Sequence, residues 1–184
     1  MPITALDEHA ALVVIDLQKG ITGMPTAHPG AKIVARTAEL AQAFRKKGLP
    51  VVLVNVTGPP PGRTEQQRRT FQFSPDWAEL DPALGQQPED LLVSKQRYGA
   101  FIGTNLDELL RQRGVTQIFL AGISTSSGVE STGRSAFDYG YNVAFVVDAM
   151  TDRDAETHKH SVEKVFPRIG ETDSTENVLS LLAK

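Results

Sequence analysis

An open, mostly parallel α/β sheet with helices on both faces is the fold class this sequence predicts, and three observations predict it. First, apolar runs recur along the chain, at 10–17 (AALVVIDL), 50–56 (PVVLVNV), 91–93 (LLV), 117–121 (QIFLA) and 142–147 (NVAFVV). Runs without polar alternation suit parallel strands covered on both faces. Second, helix-like stretches separate these runs, and strand–helix alternation closes into a parallel sheet through right-handed crossovers. Third, the chain of 184 residues is 40% hydrophobic and 22% charged, the composition of an ordinary globule. A chain of that length buries about 70% of the surface its unfolded form exposes, so residues 1–184 read as one domain.

The helical stretches carry their own punctuation. Residues 33–47 set Ile33, Ala41 and Phe44 among charged neighbours, and Gly48 follows as a stop. Residues 105–113 run into Gly114, and 126–139 run into Gly140. Further helices are predicted over 155–165 and, with an amphipathic pattern, over 174–182. No repeat, low-complexity tract or dividing linker interrupts the order. The irregular region is 57–88, which opens with GPPPG and continues into RTEQQRR. A connection that long without elements of its own is usually functional, and it reads as a lid or substrate loop.

Charge and composition narrow the function. A net charge of -3 offers no basic face for nucleic acid. No apolar run approaches the roughly 20 residues that span a bilayer. The first residues lack the basic and apolar regions of a signal peptide, so a cytoplasmic protein is expected. The chain has no cysteine, which removes disulfides, thiolate metal sites and a thiol nucleophile.

Ligands of open α/β sheets bind beyond the carboxyl ends of the strands. Asp16 closes the first apolar run, Lys95 follows the third, and the turn GISTSSGVEST at 122–132 follows the fourth. Taken singly, an acid after a strand is an ordinary cap and a lysine there an ordinary solvated residue. Together they place an acid, a base and a cluster of backbone amides on one edge of one sheet. The amides around Ser126 to Gly128 would face negative charge from a helix start.

These residues carry a resemblance. The segments VVIDLQ at 13–18, KQRYGAF at 95–101, GISTSSGVEST at 122–132 and VDAMTD at 147–152 resemble the isochorismatase-like hydrolase superfamily, in order and over nearly the whole chain. The resemblance implies a three-layer α/β/α domain that assembles as a homo-oligomer, a dimer or larger. In the amidase branch an Asp, a Lys and a Cys form a triad; Asp16 and Lys95 match the first two, and Gly128 stands at the place of the Cys. True isochorismatases are similar to this chain in having glycine there. They hydrolyse a vinyl ether, and the resemblance implies Asp16 as the general acid that protonates the enol-ether carbon. That role requires a carboxyl pKa raised from about 3.9, which burial favours and a touching Lys95 opposes.

The same resemblance places Arg68 where isochorismatases bind a substrate carboxylate, a contact suited to a guanidinium fork; a solvated arginine beside Arg63 and Arg69 is the other reading. Ser124 and Ser127 become substrate contacts, and the backbone amides of Ser124 and Gly128 are implied to face the pocket after a cis peptide between Ile123 and Ser124. Phe71, Phe73 and Trp77 are either an apolar lid wall or ordinary packing residues. Two positions depart from the family pattern: Gly58 stands at the place of a glutamine, and Ser124 at that of a tyrosine. Nicotinamidases hold a metal through an Asp and histidines after the second strand; this chain has Asn55 there and no histidine between His28 and His158, so neither metal nor other cofactor is expected. His158 and His160, two apart in a predicted helix, do not share a face.

Three functions remain: a cysteine-independent hydrolase of a small carboxylated substrate, an amidase using Ser126 or Ser127, and a catalytically silent protein that binds a ligand or assembles as a structural oligomer. The serine route lacks a positioned histidine in the sequence, leaving Asp16 as its base.

Overall fold

A computed structural model describes residues 2–65 and 73–184. Six strands form one sheet in the order β3-β2-β1-β4-β5-β6. Every paired neighbour in it is parallel. The strands are β1 (Ala10–Ile15), β2 (Val51–Val56), β3 (Leu91–Lys95), β4 (Gln117–Ile123), β5 (Asn142–Thr151) and β6 (Glu171–Asp173). The helices are α1 (Lys19–Thr22), α2 (Gly30–Lys46), α3 (Leu106–Arg111), α4 (Glu130–Asp138), α5 (Ala155–His160) and α6 (Thr175–Leu182).

All six residues of β1 are buried, as a strand covered on both faces requires. Leu12 and Val14 pack in one core with Ile33 and Phe44 of α2 and Val178 of α6. Ala11, Val13 and Ile15 pack in the other with Leu106 and Leu110 of α3 and Ala136 beside Phe145 and Phe166. The predicted three-layer arrangement is therefore present. The helix stops hold as well: Gly48, Gly114 and Gly140 all adopt positive φ, the left-handed conformation in which glycine has no steric penalty.

Several bounds differ from the sequence expectation. Strand β3 extends to Lys95 and β5 runs on to Thr151. The helix predicted over 126–139 begins with a wide turn, Thr125–Val129, before α4. The helix predicted over 155–165 gives way after His160 to another wide turn, Ser161–Val165. Strand β6 and the four-residue α1 were not predicted; β6 is a short polar edge with no apolar run to mark it. Beside β4, the register of β5 jumps between the pairs Leu120–Phe145 and Gly122–Met150. Asp148 in that bulge accepts from the Thr175 amide at 2.7 Å and lies 3.3 Å from Arg36, anchoring α6 and α2 to the sheet.

The winding places the site. From β1 the chain moves outward to β2 and β3, then returns to lay β4 on the other side of β1. The crevice between the ends of β1 and β4 is the point where strand order reverses, the usual ligand position of such sheets.

Candidate active site

Asp16 is the first residue past β1, and its φ of 53 is positive, a conformation that Asp tolerates better than most residues. Its amide donates to the Val54 carbonyl at 2.9 Å, so the kink is tied to β2. The kink turns the side chain over the sheet edge, where Lys95, the last residue of β3, reaches it across β2. Lys95 Nζ lies 2.7 Å from Asp16 Oδ2 and 3.1 Å from the Arg97 carbonyl, and both charged side chains are buried. Asp16 Oδ1 is buried without a hydrogen-bond partner. Burial pushes the Asp16 carboxyl up to about 6, and the nearby Lys95 charge and hydrogen bond offset only part of that rise.

Gly128 closes the other side. A Cβ there would fall 3.2 Å from Asp16 Oδ2, 2.8 Å from Ile15 Cγ2 and 3.6 Å from the Tyr98 carbonyl. Backbone, acid and lysine thus converge from β1, β3 and the turn after β4. Gly122 permits the approach: its φ is 127, and a side chain would run into the Ile15 backbone. The peptide between Ile123 and Ser124 is cis. The Ser124 carbonyl accepts from Ser127 N at 3.2 Å and Val129 N at 3.1 Å, which winds the turn. Ser124 and Ser127 are half-buried, while Gly128 is buried. The Gly128 carbonyl accepts from Thr132 Oγ1 at 2.6 Å, and that hydroxyl accepts from Ala100 N at 3.0 Å.

Not every expectation about the turn holds. The helix-start amide of Ser126 does not await a ligand's charge: it donates to Asp152 Oδ2 at 2.8 Å, and Ser126 Oγ donates to the same oxygen at 2.7 Å. A histidine does reach this turn, at the threonine before the two serines. His158 Nδ1 lies 2.8 Å from Thr125 Oγ1, and the His158 ring meets His28 edge-on at 5.1 Å. Burial, then His28, holds the His158 imidazole below its ordinary pKa, against an opposing pull from Asp152. In the sequence Asp152 carries no strand-end mark, because the apolar run ends at Val147, five residues before it. A strand read through Thr151 would have marked Asp152 as a strand-end acid, like Asp16.

The long loop contributes a fixed wall. Trp77 packs its indole on Gly20 of α1, with no room for a Cβ between them, and Phe73 lies 4.1 Å from it ring to ring. Gln18, fully buried, donates to the Trp77 and Val56 carbonyls at 3.0 Å and 3.1 Å and accepts from Val56 N at 2.8 Å. Asn55 donates to the Ala78 carbonyl at 2.8 Å and accepts from Ser94 Oγ at 2.7 Å. Trp77 thereby packs the loop's anchored limb against α1. Arg68 and Phe71 lie outside the described residues. A separate cleft of about 590 Å³, lined in part by Arg45, Asp90 and Arg113, opens near Ala10 and Val51, at the opposite end of the strands from Asp16.

A doubly wound parallel sheet with an acid–lysine pair at its switch point has the frame of a three-layer α/β hydrolase. The chain belongs to the isochorismatase family: the isochorismatase domain model matches residues 10–177. The uncharacterized isochorismatase family protein YwoC of Bacillus subtilis (strain 168) is 40% identical over 179 residues, covering 94% of this chain and 93% of that protein. The solved structure of an isochorismatase family protein from Burkholderia thailandensis superposes with a TM-score of 0.94 at 39% identity, covering 98% of each chain. At greater distance stands the maleamate amidohydrolase of Pseudomonas putida, 28% identical over 183 residues, covering 94% of this chain and 86% of that protein. No helix among the described residues is long and apolar enough to cross a membrane.

Proposed function

We propose that this isochorismatase-family hydrolase cleaves a small carboxylated substrate without a covalent intermediate, with Asp16 handling the proton and a vinyl ether as the substrate class. The observation that carries it is the Asp16 carboxyl itself, raised to about 6, with Oδ2 held by Lys95 next to Gly128 and Oδ1 buried without a partner. With that pKa roughly a tenth of the molecules carry the proton at pH 7, enough for a general acid near neutrality. Asp16 protonates the terminal enol-ether carbon, and the cation that forms is centred on the carbon bearing the ether oxygen. Water adds to that carbon and returns a proton to Asp16. The resulting hemiketal then breaks its C–O bond, giving a 2-oxo acid and an alcohol. Lys95 keeps a third N–H beyond its two bonds, which suits a substrate carboxylate as well as Asp16.

In this reading the amides of Ser124 and Gly128 and the hydroxyls of Ser124 and Ser127 contact the substrate. Arg68 takes its carboxylate, Phe71 lies over it, and Trp77 backs the loop that carries both. Assembly as a homo-oligomer in the cytoplasm belongs to the same proposal, and light scattering of the purified protein tests the assembly. The direct experiment is a turnover screen across vinyl ethers, amides and N-carbamoyl compounds with wild type and Asp16→Asn. Loss of turnover in the variant is expected; full activity in Asp16→Asn sinks the mechanism, and no turnover of any class by wild type favours a ligand-binding protein.

A second reading draws on the Ser126–Asp152 contact: amide hydrolysis with Ser126 as nucleophile, a chemistry carried by the amidohydrolase named above. The carboxylate that would serve as base also caps the Ser126 amide, which ties Ser126 to the scaffold. Turnover of an amide that disappears in Ser126→Ala while Asp16→Asn retains it would establish this route instead.

A further inference from the structure

The turn that carries Gly128 is gripped from the side away from Asp16 by groups that proton transfer does not use. Asp152, just past β5, takes both the amide and the hydroxyl of Ser126 on one oxygen, and its other oxygen accepts from Arg153 N at 2.8 Å. With both oxygens engaged the carboxylate cannot swing, so Ser126 is held in place. Next to it, Thr125 is fully buried, and its hydroxyl pairs with His158 of α5. Two consecutive residues of one turn are therefore fastened to two different elements.

We propose that Asp152 and His158 are positioning residues: by holding Ser126 and Thr125 they fix Gly128 against the Asp16 carboxylate. The proposal rests on the hydrolase reading of that carboxylate. Gly128 lies within the same wide turn, whose bonds from Ser127 N and Val129 N converge on the Ser124 carbonyl. On the far side of Gly128, Thr132 ties its carbonyl to Ala100, in the loop that supplies the Arg97 carbonyl to Lys95. The turn is thus fastened before and after Gly128, and slack at Thr125 or Ser126 must appear between them. The groups facing His158 are Thr125, the His28 ring and Asp152. None of them is Lys95 or Asp16, so the grip acts on the site only through the turn.

A role in overall stability alone would leave the surroundings of Asp16 unchanged in the folded protein, whereas a positioning role would not. The test labels aspartate carboxyl carbons in the whole protein, assigns Asp16 by its loss in Asp16→Asn, and follows its titration by NMR. Thr125→Val, His158→Ala and Asp152→Ala let water reach Asp16, and its midpoint is expected to fall by about one unit towards the ordinary carboxylate value. His158→Asn and Thr125→Ser retain a hydrogen-bonding atom near the lost one and are expected to hold the midpoint near that of wild type. An unchanged midpoint in folded Thr125→Val and His158→Ala overturns the proposal, even if both melt at lower temperature. If Asp152→Ala fails to fold, the Thr125 and His158 pairs of variants decide alone. The titration uses no substrate, so its outcome is separate from the Asp16→Asn turnover test of the hydrolase reading.

Discussion

Lys95 and Asp16 meet at 2.7 Å although a whole strand, β2, lies between the strands that carry them. The two meet at the sheet's carboxyl edge, where Lys95 pairs in register with Val56 of β2 and Asp16 leaves β1 with a left-handed kink. An ion pair of this kind is a weak source of stability, since desolvating both charges offsets their attraction. Its value is chemical. The lysine holds one oxygen of an acid that burial keeps ready for protons.

The pair can be neutralised as a unit. Asp16→Asn combined with Lys95→Met removes both buried charges, and the gain in stability is expected to be about 1–4 kcal/mol at pH 7. The Asp16 pKa in the folded protein lies above the ordinary value of 3.8, so its ionisation opposes folding. That penalty is absent below about pH 4, where the carboxyl is protonated in both states, and reaches full size as pH rises through about 6. Thermal melts of the double variant should therefore exceed wild type more at pH 7 than at pH 4, with turnover abolished.

In the proposed mechanism, proton donation by Asp16 sets the direction of the pH profile. kcat/KM for a vinyl ether should fall about tenfold per pH unit above a midpoint near 6. Lys95→Met, by removing the charge that lowers the Asp16 pKa, should move that limb to higher pH. A rate that rises through the same range would assign Asp16 the opposite role, as a base.

Gly128 leaves little room for a side chain. In Gly128→Ala the new methyl group would meet Ile15 Cγ2 at 2.8 Å, and a β-branched strand residue has few rotamers with which to yield. Overpacking of this kind is expected to lower stability by about 1–3 kcal/mol, against a helix-propensity gain of up to about 1 kcal/mol. Denaturant melts check the sign, and turnover should fall further than stability because the methyl also crowds Asp16 Oδ2.

The chain has a single tryptophan, so fluorescence reports the seat of Trp77 directly. Gly20→Ala places a methyl where the indole ring now lies and should displace it. A red-shifted emission with an otherwise native far-ultraviolet spectrum is expected. Unchanged emission would show that the loop's anchored limb holds by its backbone bonds to Gln18 and Asn55 without that contact.

Away from the site, Arg45 holds Asp90 by two bonds, at 2.9 Å and 2.7 Å, and the aspartate is almost fully buried. Asp90→Ala strands the guanidinium and should destabilise the fold by about 3–5 kcal/mol. Turnover per folded molecule should be unaffected, since this pair lies at the opposite end of the strands. Melting temperature and active-site titration together check both halves.

The layers and the acid–lysine pair were legible in the sequence because each leaves a local mark. Continuous apolar runs give buried parallel strands, and an acid or lysine directly after such a run falls on the ligand edge. Asp16, Lys95 and Gly128 were found that way and by resemblance. What stayed hidden depends on distant packing. Strand β6 is three half-buried polar residues, recognisable only once Ala144 to Val146 lie beside them. The contact from His158 to Thr125 joins a polar helix to a turn with no spacing to reveal it. The wide turn at Thr125–Val129 differs from an α-helix only in its hydrogen-bond register, which composition does not encode.

The place of β1 between β2 and β4 also sets an order of assembly as the chain emerges during synthesis. Everything needed to join Lys95 to Asp16 is available once β3 has been made. The turn that buries the carboxyl arrives with β4 and the residues after it, and its grip on Asp152 and His158 comes later still. Until then the acid lacks the burial that raises its pKa. Its altered acidity is a property of the finished protein, acquired near the end of translation.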